Sequence, residues 1–259
     1  MPETILYFIM QFAVLLGFFG VLDFIIMLLI RRNVKWPLII TAGLIYFAVI
    51  FFGLSAMSTK VSGQGIMQYM TGEFNTNIDM IAAEMNKKGA TEQDIQAFRK
   101  ECDQYIIKIL PAWFLIVSIY LIFLNYLVMR LFVYRKYGIQ SELKSFELWY
   151  LNEGVIWLLI ISLAVVAPKL ILDKFLVPEW LYNAALNAAF VLFNLYFFTG
   201  AGIFSFMMKK FKFAPFLQIF IYFLGFIFFQ YIALPVAVTG VFDTWFNFRK
   251  IEKGGNIWK

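Results

Sequence analysis

The stretch PAWFLIVSIYLIFLNYLVMRLFVYRKYG, residues 111–138, decides the fold. From Pro111 to Met129 it carries no charge, and then a basic cluster follows at Arg130, Arg135 and Lys136. A run of about 20 apolar residues crosses about 30 Å of hydrocarbon as a helix. A strand is excluded because the run lacks in-and-out alternation, and a backbone in lipid must satisfy its own hydrogen bonds. The same pattern recurs at roughly residues 4–30, 37–57, 110–134, 150–172, 180–208, 213–230 and 233–248. The fold class is therefore all-α: a polytopic helical membrane protein with about seven transmembrane helices, forming a single integral membrane domain over residues 1–259. Residues 213–248 read better as a hairpin split near Pro235, because one kinked helix of that length would measure about 54 Å. That single helix would reduce the count to six.

Composition agrees with a bilayer as solvent. Hydrophobic residues make up 62% of the chain and charged residues 15%, with a mean hydropathy of +0.78. A soluble domain would expose much of that surface to water. One set of loops carries 14 basic residues, Arg31, Arg32, Lys35, Arg130, Arg135, Lys136, Lys144, Lys209, Lys210, Lys212, Arg249, Lys250, Lys253 and Lys259. Only Glu142, Glu147 and Glu252 oppose them, whereas the other side has 8 basic and 10 acidic residues. The positive-inside rule predicts an N-terminus outside and a C-terminus in the cytoplasm of a bacterial inner membrane. The first span lacks a preceding basic residue and a following small-residue cleavage site, so it is expected to stay as an anchor. The net charge of +6 then needs no nucleic acid, because anionic lipid is the natural partner of a basic cytoplasmic face. Trp36, Trp149, Trp180, Trp245 and Trp258 fall near the predicted interfaces, as aromatic belts do.

Residues 58–109 form an extracytoplasmic amphipathic insertion. Ile66, Met70, Phe74, Ile78, Ile81 and Met85 recur at spacings of three and four, which predicts one helix ending at Gly89. Thr91 then caps a second helix with Glu92 and Asp94 in its first turn, and Ile95, Phe98, Cys102, Tyr105 and Ile109 make its stripe. Such helices either cap the bundle or act as a lid or docking surface.

Polar groups inside the spans are the main functional clue, because each must find a partner in hydrocarbon. Asn183, Asn187 and Asn194 fall within about 40° of one another on one helix, and Asn125 and Gln230 are candidates to join them. They serve either as interhelical hydrogen bonds or as the lining of a small-molecule site. Asp23, Glu153 and Asp243 lie at similar depth. Each either pairs with the basic interface or takes part in proton or cation coupling. Gly17, Gly20, Gly200, Gly202 and the alanines 184, 185, 188 and 189 mark expected close helix crossings. The chain has no histidine, a lone Cys102, no glycine-rich phosphate loop and no nucleophile elbow. No enzyme activity, cofactor or metal is expected.

The strings FLNYLVMRLFVYRKYG at 123–138, ALNAAFVLFNLYFFTGAGIFSFMMKK at 185–210 and GVFDTWFNFRK at 240–250, with EMNKKGATEQDIQAFRKECDQYIIKILP at 84–111, resemble the YybS-like family of predicted bacterial membrane proteins. Asp243, Trp245, Arg249 and Lys250 match its terminal motif. The family has no assigned activity. Its distant resemblance to the substrate-binding components of energy-coupling-factor transporters implies small-molecule capture with a partner ATPase. Family members often begin with an additional pair of hydrophobic segments, absent here, which counts against the transport implication. The other expectation is a non-transporting scaffold or accessory subunit that binds other membrane proteins.

Overall fold

The computed structural model describes residues 2–138, 146–172 and 177–250, with side chains from Gly17 onward apart from Val61, Ser62, Gln104 and Tyr105. Lys144, Glu142, Lys174, Glu252, Lys253, Trp258 and Lys259, used above for sidedness and belts, lie outside the described residues. Within them the chain is helical, without strands: α1 (Pro2–Arg31), α2 (Trp36–Ser62), α3 (Ile66–Lys87), α4 (Glu92–Glu101), α5 (Leu110–Tyr137), α6 (Gly154–Leu172), α7 (Glu179–Lys210), α8 (Pro215–Ile227) and α9 (Phe229–Phe246). Four apolar segments are long enough to cross a membrane, Trp36–Lys60, Ile107–Tyr137, Gly154–Leu172 and Glu179–Lys210. The bent pair α8 and α9 makes a fifth if counted as one span. At 30 residues, α1 has the length as well.

The chain divides into two units, one built from residues 1–95 and 117–143 and the other from 96–116 and 144–257. In the first, Leu22, Ile26 and Ile30 form a buried stripe along α1. The Tyr46 hydroxyl of α2 donates to the Phe18 carbonyl at 2.8 Å. Gly43 is required by the packing of α5 on α2, since a Cβ there would lie 2.7 Å from Ile122 Cγ2. The expected stripe of α3 is present with one change: Ile78 and Ala82 are buried, whereas Ile81 is half exposed. Gly89 stops the chain at φ +86°. Thr91 and Asp94 close a reciprocal cap, with the Asp94 N–H donating to Thr91 Oγ1 at 3.2 Å and the Thr91 N–H to Asp94 Oδ2 at 3.1 Å. That cap holds the Asp94 carboxyl below its usual range.

In the second unit α6 and α7 run antiparallel. Ile156 and Leu159 pack on Tyr196 at one end, and Val166 packs on Tyr182 and Ala185 at the other. α9 crosses α7 at near-contact of the backbones, because a Cβ on Gly200 would overlap the Val236 carbonyl and one on Gly240 the Tyr196 carbonyl. Gly17 and Gly20 differ from this expectation, since a Cβ on either meets nothing within 4 Å.

The break in 213–248 falls at Phe228, not near Pro235, and turns the chain by 110°. Pro235 sits inside α9, where its carbonyl accepts a bond from Thr239 Oγ1 at 2.8 Å. α8 has 13 residues, about 20 Å, too short to cross hydrocarbon. Just before α8, Lys209 Nζ lies 2.6 Å from Glu147 Oε1. Just after α9, Arg249 Nη1 lies 2.8 Å from the Glu147 carbonyl. The pair therefore leaves and returns beside the same residue. The chain turns back within 213–248 as expected, with the break at Phe228 in place of Pro235.

Candidate functional site

Two polar constellations stand out in the second unit, one at each end of α7. The first lies where the chain enters α5. Pro111 has no N–H to give, and the segment before it passes from a wide turn at Cys102–Ile106 to a tight one at Ile107–Ile109. The Asn187 side chain meets this junction. Its Oδ1 accepts from the Ala112 N–H at 2.8 Å, and its Nδ2 donates to the Lys108 carbonyl at 2.7 Å. Lys108 and Ala112 are i and i+4, the two backbone groups that bond each other in a regular α-helix. The amide thus bridges a backbone pair, and its second proton goes to the Asn183 carbonyl at 2.8 Å. Both of its donors are used.

Around this bridge, Lys108 Nζ pairs with Glu179 Oε1 at 2.7 Å and lies 5.8 Å from the centre of the buried Tyr182 ring. Asn183 contributes its carbonyl, while its Oδ1 is sealed from solvent without a hydrogen-bond partner. Asn194 Nδ2 donates to Phe190 of its own helix at 2.9 Å. Asn125 belongs to the first unit and likewise bonds its own helix, at Leu121, 2.8 Å. Gln230 follows the bend and is exposed.

The second constellation is built by the string at 240–250. Asn247 and Lys250 adopt left-handed backbone, φ 44° and 51°, which turns the chain back on the end of α9. Arg249 returns to Asp243 and pairs with Oδ2 at 2.7 Å, with side-chain exposures of 0% and 3%. The other carboxylate oxygen accepts the Phe248 N–H at 2.8 Å. Nη1 of Arg249 also donates to the carbonyls of Glu147 and Trp149 at 2.8 and 2.7 Å. Gly202 leaves room for this grip, since a Cβ there would stand 3.0 Å from the Phe146 carbonyl and 3.3 Å from Arg249 Nη1. Lys209 closes the cluster on Glu147. Burial pushes the Glu147 carboxyl up, but the Lys209 hydrogen bond and charge outweigh it and hold the group below the usual value. The result is a clasp joining the ends of α7 and α9 to the segment before α6. Trp245 and Lys250 take no part in the clasp and are exposed.

The three acids have different surroundings. Asp243 is paired, Glu153 is exposed before α6, and Asp23 lies in the first unit with its Oδ1 sealed and unpartnered. Sequence reasoning missed Lys108, Glu147, Trp149 and Gly240, whose partners lie far along the chain. Among the described residues no group of histidine, cysteine and acidic side chains could hold a metal ion.

A family model described as "Predicted membrane protein (DUF2232)" matches residues 4–244, and the chain belongs to that family. No curated protein and no solved structure matches it.

Proposed function

We propose that this predicted membrane protein is a non-transporting scaffold or accessory subunit of the bacterial inner membrane. The observation that carries this reading is the Asn187 amide, whose donors are both spent on backbone carbonyls and whose oxygen serves the Ala112 N–H. An asparagine so committed holds two helices together and has no proton left for a solute. The basic end of the second unit, with Lys209, Lys210, Lys212, Arg249 and Lys250, is its cytoplasmic end. It lies on anionic lipid and offers cations to protein partners.

Small-molecule capture, as in energy-coupling-factor substrate-binding components served by a partner ATPase, is the second reading. The buried Asn183 Oδ1 favours it, as an acceptor that a ligand donor would satisfy. Extraction of the tagged chain into nanodiscs, followed by mass spectrometry of what co-purifies, separates the two. Stoichiometric protein partners without a metabolite are the expected result. A stoichiometric metabolite lost in a folded Asn183→Leu protein would replace the scaffold with the capture reading.

A further inference from the structure

The two aspartates of the apolar helices have opposite surroundings. Asp243 holds a guanidinium and a backbone N–H. Asp23 stands between the fully buried Leu22 and Ile26 stripe positions of α1, and its Oδ1 is closed off without a hydrogen-bond partner. Arg31, two turns further on, lies instead over the Tyr137 ring, 4.7 Å from its centre. α2, which packs on α1, is uncharged from Trp36 to Thr59, and its Tyr46 hydroxyl is committed to Phe18. Within this unit α5 brings the phenols of Tyr120, Tyr126, Tyr134 and Tyr137 and the cations Arg130, Arg135 and Lys136. Lys136 rests on the Phe132 and Tyr137 rings at 5.4 and 5.5 Å. Among the described residues none of these cations forms an ion pair with Asp23. A lone carboxylate in hydrocarbon is so costly that the group takes up a cation or stays protonated.

We infer that Asp23 is a cation-binding carboxyl within the membrane, occupied by a proton or a small monovalent metal ion. This is independent of the scaffold reading. The test is labelling of the full chain in nanodiscs with dicyclohexylcarbodiimide, which enters apolar sites and adds across a protonated carboxyl to give a stable acylurea. Mass spectrometry of the peptide around residue 23 reads the product. Asp23 is expected to label, with a rate that falls about tenfold per pH unit above its midpoint. Protection by sodium at fixed pH identifies a metal ion as occupant, and pH dependence without protection identifies the proton. A folded protein in which Asp23 stays unlabelled, or labels without response to pH or sodium, overturns the inference. Asp23→Asn, the neutral isostere, is expected to keep the thermal midpoint of the parent. A loss as large as that of Asp243→Asn would reveal a charge partner and overturn it too.

Discussion

Replacing Arg249 with methionine removes the centre of the clasp and tests whether it holds the second unit together. The substitution keeps the length of the apolar stem but deletes the pair to Asp243 at 2.7 Å and the bonds to Glu147 and Trp149 at 2.8 and 2.7 Å. Because the Asp243 side chain is only 3% exposed, its carboxylate would be left buried without its guanidinium. Breaking a buried pair from one side costs about 3–5 kcal/mol, a hundredfold or more in the folding equilibrium. Asp243→Asn is gentler, since an amide oxygen still accepts from Phe248 and Arg249 keeps two carbonyls; about 2 kcal/mol is expected. The double change Asp243→Asn with Arg249→Met leaves no orphan charge and should recover part of the loss. Thermal unfolding in mild detergent, with hydrogen exchange of residues 146–150, reads both stability and site. A loss under about 1 kcal/mol for Arg249→Met, or a double variant equal to the sum of the singles, would refute the reasoning.

Gly200→Ala and Gly240→Ala should each lower stability by about 2 kcal/mol or more, because the new methyl falls on a backbone carbonyl; Gly17→Ala and Gly20→Ala, which meet nothing, should leave the thermal midpoint unchanged. Asn187→Leu deprives the Lys108 carbonyl and Ala112 N–H of their partners and should cost about 2–3 kcal/mol, with faster exchange confined to residues 107–112 and no change in co-purifying proteins. The Lys209 pair stabilises the fold above the ordinary glutamate value of 4.5 and is lost as pH falls through the lower folded value; Glu147→Gln should flatten that acid limb in a pH series of thermal midpoints. Thr91→Ala should cost about 1 kcal/mol through the lost cap, seen as fraying of α4 by exchange.

Local signals were readable in the sequence, and distant ones were not. Gly89 and the Thr91–Asp94 cap appear where the residues placed them, because turn and cap chemistry is written within three or four positions. The apolar runs became helices for the same reason. Phe228, by contrast, carries no turn chemistry that would announce the 110° bend there. Pro235 misled because a proline inside a membrane helix is tolerated where its neighbours satisfy the freed groups. The asparagine stripe was visible as a stripe, but its partner, the irregular turn before Pro111, is 75 residues away for Ala112.

The clasp also places a constraint on residues 213–248 that hydropathy does not carry. Hydropathy counts residues 213–248 as two crossings or as one, and the choice changes which side receives the tail. Lys209 and Arg249 both reach Glu147, so the tail returns to the end from which α8 departs. At the other end of α7, Glu179 pairs with Lys108 beside the entry to α5. One end of the second unit thus collects Lys209 and Arg249, and the opposite end collects Lys108 and Glu179. Two left-handed residues, one buried pair and one glycine opposite hold the string at 240–250 against the segment before α6.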